Sequence, residues 1–376
     1  MSESTMRVLM TLDGIDVGGT ETHVLSLAEE MINKGIGIVI ISRGGSLLQS
    51  FSRLQCPIYQ VPFPYSLPIP ADLQEKLCKE IKQIIMNEKI TLIHSHQTPS
   101  AFLTFQAAKE LGIPSIFTVH GTYYPKSELL RVLPLANKII CVSPPIQQFI
   151  QKLTDQPTIV IPNGIDTTRY SPSDSSDLKV QLGIPKDSFV LLYSSRIAWT
   201  KANICMIFLR ACKDLKLSGI PNLYVVVVGG GPRFKEIRDI TDTIHRSSTD
   251  NFINLVGERL DLQHYYSLAD CVVGTGRVAL EAMACGKPVI AAGSHGYFGL
   301  VEEHNFEDAW HCYFGDHGSL KPCSRYTMAN DIRSSLSPSD RLLKAGSASR
   351  EWMLNKFNIK FSVANLLECY KTLIKG

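Results

Sequence analysis

Short apolar, β-branched runs alternate with longer amphipathic stretches along most of this chain, and that rhythm admits few folds. Parallel strands need a long crossover between them, and a helix is the usual crossover. In the first half the strand candidates are Arg7–Leu12, Gly37–Ser42, Ile58–Val61, Leu92–His94, Ser115–Val119, Lys138–Val142 and Thr158–Ile161. Helical stretches fall between them at Thr20–Lys34, Ala71–Glu88, Ser100–Leu111 and Ile146–Leu153, and Pro-rich Val61–Pro70 reads as a loop. The rhythm stalls at Pro162-Asn163-Gly164-Ile165-Asp166 and again in Tyr170–Asp177, which read as an interdomain linker. A second series then runs through strands Phe189–Ser194, Leu223–Val228, Ile253–Val256, Cys271–Val273 and Pro288–Ala291, with helices Asn203–Leu215, Arg233–His245 and Leu262–Leu268 between them. The expected architecture is α/β, two doubly wound domains with a cleft between them. Sheets of this kind take ligands at the carboxyl ends of their strands.

A length of 376 residues suits two domains, and 44% apolar with 19% charged residues suits a folded chain. A net charge of +3 carries no basic patch of the kind nucleic-acid binders show, but leaves room for anionic small ligands. The ten cysteines form no C-x-x-C pair and mostly sit in apolar runs, as reduced buried thiols do. With no signal-peptide pattern and no spanning apolar run, the sequence reads as cytoplasmic, with peripheral membrane contact left open.

The most chemically informative run is Gly274-Thr275-Gly276-Arg277-Val278-Ala279-Leu280-Glu281-Ala282-Met283-Ala284-Cys285-Gly286-Lys287-Pro288. It reads as a loop, a helix and the approach to a strand. Glycines 274 and 276 bare the backbone where free N–H groups and the helix dipole favour an anion. Glu281 stands just over one turn in, within reach of a ligand. Phosphate on the amides and ribose hydroxyls on the acid would suit a nucleotide; a capped helix with a solvated glutamate is the plainer alternative.

Three further segments stand at strand ends. Gly18-Gly19-Thr20-Glu21 opens the first helix, but it lacks the G-x-G-x-x-G spacing of a dinucleotide fold. Arg196 and Lys201 follow strand Phe189–Ser194, placed to neutralise a diphosphate. Gly229-Gly230-Gly231-Pro232 follows a run of valines and permits a tight turn. Glu258 and Arg259, after strand Ile253–Val256, could edge a nucleobase pocket.

Taken together and in order, these segments resemble the GT-B glycosyltransferases, and within them the retaining family 4, or group 1. Gly18–Glu21 resembles that family's glycine loop, His120-Gly121 its donor-site histidine, and Pro162–Asp166 its "PNGVD" signature. Ser195-Arg196 through Lys201 resembles its "GR…K" pair, Gly229–Pro232 its "G-x-G-P", and Leu280–Ala284 its "LEAMA". The resemblance implies an N-terminal acceptor-side domain over 1–165, completed by a C-terminal helix at 358–376, and a donor-side domain over 166–357. It implies transfer of a sugar from a nucleotide-diphosphate donor, UDP favoured, to an unidentified saccharide, lipid-linked or small acceptor. No cofactor or metal is implied, and the chain has no D-x-D motif. His120, Arg196 and Lys201 would carry the catalysis. Gly18, Gly19, Gly230, Glu258, Arg259, Gly276, Arg277, Val278 and Glu281 would join Arg196 and Lys201 in holding the donor.

One position departs. The family places an acid eight residues before the second, where this chain has Val273. That leaves two other readings open: a non-catalytic relative that binds or builds, and, with little support, a nucleotide-sugar 2-epimerase. Arg277, one helical turn before Glu281, could pair with it or touch a phosphate. His94 and His96 share a face of a strand, one expected to line the cleft and the other to cap the strand. His295–Gly299 reads as a sugar-contacting loop or a glycine-rich turn. Tyr123–Lys126 with Leu129–Leu133 reads as a partly buried helix or an acceptor or membrane contact.

Overall fold

The computed structural model describes residues 6–220, 222–248, 250–317, 321–336 and 341–375. The chain forms two units, one running to Gly164 and resuming at Ile359, the other spanning Ile165–Asn358.

The first unit holds seven parallel strands: β1 Arg7–Thr11, β2 Gly37–Ser42, β3 Ile58–Gln60, β4 Leu92–Ser95, β5 Ser115–Val119, β6 Lys138–Cys141 and β7 Thr158–Val160. They lie in the order β3-β2-β1-β4-β5-β6-β7. The chain winds outward from β1 in one direction and then from β4 in the other, so the switch point lies between β1 and β4. Successive residues of β1 feed opposite faces: Val8 and Met10 enter one apolar cluster and Leu9 the other. A strand covered on both faces needs such an unbroken apolar run, and Val8–Met10 supplies it. One face is packed by helices Ala71–Asn87 and Ser100–Leu111. The other is packed by Gly19–Asn33 and by the last helix, Ile359–Lys375, through Val363, Leu366, Leu367 and Tyr370. The Tyr123–Leu133 stretch is a partly buried helix, Lys126–Val132, with Leu129 and Val132 inward and Leu130 half exposed.

The second unit holds β8 Phe189–Ser194, β9 Leu223–Val228, β10 Ile253–Gly257, β11 Cys271–Gly274, β12 Val289–Gly293 and β13 Gly296–Leu300, in the order β10-β9-β8-β11-β12-β13. Its switch point lies between β8 and β11.

Three expectations are corrected here. His295–Gly299 is not a loop or a turn beyond its first residue: Gly296–Leu300 runs antiparallel to β12. Alternating burial carries it, with Tyr297 inward and its hydroxyl donating to Asp331 Oδ2 at 2.7 Å. The helix expected from Asn203 starts at Trp199, whose φ of +44° turns the chain straight out of the β8 connection. Lys201 therefore lies in its first turn and not in a loop. The Tyr170–Asp177 segment is no open linker throughout, since Tyr170 is buried and helix Ser176–Gln181 begins inside it.

All ten cysteines are free thiols. Burial pushes Cys141, Cys271 and Cys285 up to about 12, which leaves them protonated and unreactive at neutral pH. Among the described residues no helix is long and apolar enough to cross a membrane.

Candidate functional site

Beyond the ends of β8, β9 and β10 the backbone is folded tightly enough to demand glycine. Gly229 and Gly231 have φ of +142° and +145°, and a Cβ on either would collide with the carbonyls of Ser195 and Ile197. The Ile197 amide donates to the Gly230 carbonyl at 2.8 Å, which locks the two connections together. A Cβ on Gly230 would meet Glu258 Oε2 at 3.1 Å, so the predicted Gly230 and Glu258 are neighbours. Glu258 and Arg259 are both exposed. Arg196 rises from this layer into solvent, 5.6 Å from the Trp199 ring, with no ion pair among the described residues.

Lys201 is half exposed, and its Nζ lies 3.4 Å from Asp316 Oδ2. A cation in the first turn of a helix opposes the helix dipole, so its charge is best answered by an anion placed beside it. Asp316 is one such anion. Burial alone would raise its carboxyl, but Lys201, His317 and the Ser294 amide hold it below the usual carboxylate value. The Tyr193 hydroxyl donates to the Lys201 carbonyl at 2.7 Å, tying the start of this helix to β8.

Helix Gly276–Ala284 opens at the end of β11. Its N-cap residue, Thr275, does not cap it: the hydroxyl donates instead to the Phe314 carbonyl at 2.8 Å. The first turn holds no acid either, so the first amides of this helix are met by no side chain of the cap or turn. Tyr313 and Phe314, which lean on this helix start, both take left-handed φ, +47° and +56°. Bulky residues adopt that conformation only when their surroundings impose it.

Glu281 is almost wholly buried, yet its surroundings are polar. Arg277 Nε donates to Oε1 at 2.6 Å, and the Tyr266 hydroxyl donates to Oε2 at 2.9 Å. Burial opposes the charge on Arg277, but Glu281 more than restores it. Arg277 Nη1 is buried with no hydrogen-bond partner among the described residues, a donor still available to a ligand. Val278, beside Arg277, is partly exposed. Val273 is fully buried in the core, opposite Tyr193 of β8 and Ile290 of β12.

Gly18, Gly19 and His120 belong to the first unit. The place a Gly18 side chain would occupy is filled by the Glu21 carboxylate, which accepts from Gln97 Nε2 at 2.6 Å. His120 Nε2 lies 3.0 Å from His96 Nδ1. The expected division of labour between His94 and His96 fails. Both are fully buried and their ring centroids lie 4.1 Å apart, the rings tilted by 37°. His94 is held between the Tyr370 hydroxyl at 2.6 Å and the Thr118 hydroxyl at 2.7 Å, so it ties the last helix to the sheet. Burial lowers the pKa of both, that of His94 to about 3, and keeps them neutral.

The structure thus gathers Arg196, Lys201, Gly230, Glu258, Gly276, Arg277, Val278 and Glu281 around the strand ends of one sheet, and Gly18, Gly19 and His120 at those of the other. Sequence reasoning missed Asp316, Tyr266 and Tyr170, whose ring lies 6.1 Å from that of Tyr266. Asp316 follows no strand or motif, and only long-range packing brings it to Lys201. The Tyr-Tyr pair at 265–266 in the short helix Leu262–Leu268 was a readable signal.

Comparisons with known proteins give the family and the fold. The model for Glycosyltransferase Family 4 matches residues 17–169, and that for Glycosyl transferases group 1 matches 174–335. A D-inositol 3-phosphate glycosyltransferase of Saccharomonospora viridis is 25% identical over 318 residues, 74% of either chain. Among solved structures, a glycosyltransferase from Rickettsia africae superposes with a TM-score of 0.80 at 21% identity over 99% of both chains. Anabaena HepE in complex with UDP-glucose superposes with a TM-score of 0.76 at 22% identity, over 98% of this chain and 100% of that one.

Proposed function

Because the chain belongs to the GT-B glycosyltransferases of group 1, enzymes that move a sugar from a nucleotide donor, we propose a retaining transfer from a UDP-sugar that needs no metal. The observation that carries this reading is the pair of cations after β8, one of them, Arg196, in solvent with no ion pair among the described residues. As the glycosidic bond breaks, charge collects on the departing diphosphate. Arg196, Lys201 and the uncapped amides at Gly276 would stabilise that charge. Glu281 would accept the ribose hydroxyls, sharing its oxygens with Arg277 and Tyr266. Gly230, Glu258, Arg259 and Val278 would border the nucleotide. We assign the first unit to the acceptor side, and keep Gly18, Gly19 and His120 as the donor-site residues that the resemblance implies. The acceptor's proton would pass to the leaving phosphate oxygen, so that no protein nucleophile is required. A polyol phosphate is the first acceptor to try, because inositol phosphate glycosyltransferases are among the relatives.

The test has two stages. Thermal shift against UDP, GDP, ADP and dTDP reads the nucleotide, since a ligand that binds the folded state raises its melting point. Turnover is then followed with UDP-sugars and inositol phosphate in the presence of EDTA, and the product anomer is read by NMR. Preference for another nucleotide, an inverted anomer or loss of turnover with EDTA would each remove the corresponding part of the reading.

A further inference from the structure

Lys201 does not stand alone at the end of β8. A carboxylate from a segment more than a hundred residues away has been brought to it, and two observations show that its position is built and not incidental. The segment Tyr313–His317 is anchored at two strand ends. Thr275, just after β11, donates to the Phe314 carbonyl. Gly293, at the end of β12, lies so close to Gly315 that a Cβ there would fall 2.3 Å from its backbone. His295 Nδ1 meets the Asp316 carbonyl at 2.5 Å, and the Ser294 amide faces Asp316 Oδ1 at 3.4 Å. Two consecutive aromatic residues accept left-handed backbone to make this turn.

We propose that Asp316 is a donor-specificity residue whose carboxylate accepts hydrogen bonds from ring hydroxyls of the transferred sugar. This rests on the reading that Lys201 holds the donor diphosphate. A carboxylate 3.4 Å from that ammonium repels phosphate oxygens, so its complement must be a donor group. The next group along a nucleotide-sugar beyond the diphosphate is a ring rich in hydroxyl donors. Asp316 has acceptor capacity to spare. Among the described residues one oxygen faces Lys201 and the other has only the long Ser294 contact, and the side chain keeps 19% of its surface exposed. The sheet itself offers no such acceptor at the same level. Val273, the β11 residue opposite Tyr193, is apolar and sealed in the core, while Tyr193 is bonded to Lys201. Asp316 therefore supplies from a loop the carboxylate that β11 lacks.

Calorimetric titration of wild type, Asp316→Asn and Asp316→Glu with UDP and with a set of UDP-hexoses tests this. In the wild type the hexose should add affinity over UDP alone. In Asp316→Asn, UDP binding should persist or tighten, because Lys201 loses a competing anion, while the hexose increment falls by about tenfold or more. Discrimination among epimeric donors, read as the ratio of kcat/KM, should narrow in the same variant. Asp316→Glu keeps the charge but shifts it, so UDP binding should hold and the ranking of donors should change. An unchanged hexose increment in Asp316→Asn would overturn the proposal. So would an equal weakening of UDP and UDP-hexose, which would make Asp316 only a support for Lys201. Failure of the wild type to bind any nucleotide would overturn the donor reading itself, and this proposal with it.

Discussion

The strand ends of the two sheets start from the same winding outward on either side of a switch point and finish with opposite electrostatics. In the first unit the polar groups beyond β1, β4 and β5 are turned inward. His94 and His96 are fully buried and neutral, Glu128 accepts from the Thr98 hydroxyl and the Leu67 amide, and Asp13 accepts from the Ser100 amide. In the second unit Arg196 stands in solvent and Lys201 is half exposed. A doubly wound sheet provides a crevice at its switch point whatever side chains it carries. Charge left without an internal partner, more than topology, marks where an anionic ligand is expected. Buried neutral networks contribute to a unique packing instead.

The largest effect that could break this comparison is on catalysis. Arg196→Ala and Lys201→Ala should each lower kcat/KM for the donor by roughly 10²- to 10³-fold, the usual cost of removing one donor to a developing negative charge. Circular dichroism should show both folded, since neither side chain is buried. Rates within a factor of about three of wild type would mean that the exposed cations are ordinary surface charge.

The next effect is a pH dependence confined to the first unit. Burial pushes the Asp13 carboxyl from the ordinary 3.8 up to about 7, against the Ser100 amide and Arg43. Between those values the folded chain holds a proton that the unfolded chain has released, so this group's contribution to stability falls as pH rises. Asp13→Asn keeps an acceptor for the Ser100 amide and removes the titration. Measured by urea unfolding, the variant should gain on wild type by about 2.5 kcal/mol between pH 5 and pH 8. A constant difference across that range would show that Asp13 is ionised throughout.

A smaller loss is expected from Tyr370→Phe. It removes the 2.6 Å bond to His94 and leaves a buried ring nitrogen unsatisfied. The cost should be about 1–3 kcal/mol, read as a lower urea midpoint with donor kinetics unchanged. An effect on kcat/KM comparable to that on stability would mean that the histidine network acts in catalysis and is not only a tie between helix and sheet. At the bottom of the scale, Lys82→Ala breaks a solvent-facing pair with Glu110 and should leave the urea midpoint where it was.

The core strands and the ordered motifs were legible because their causes are local. β2, β5, β8 and β9 run over the residues that their β-branched and aromatic runs indicate. The Arg277–Glu281 pair follows from helical spacing alone. β13 was misread because its glycines suggest a turn, whereas alternating burial against β12 and Asp331 decides for a strand. The start of helix Trp199–Leu217 was misplaced because a left-handed tryptophan has no sequence signature.

What the amino-acid order determined by itself is the periodicity, the punctuation and the chemical types at strand ends, all set by interactions within a few residues. What only the tertiary structure decided is which of those polar groups are answered internally. His94 was committed to Tyr370 across 276 residues, Asp316 was delivered to Lys201 across 115, and Val273 was sealed away. Pairings at that distance carry no local signal, because they depend on where whole helices and turns come to rest.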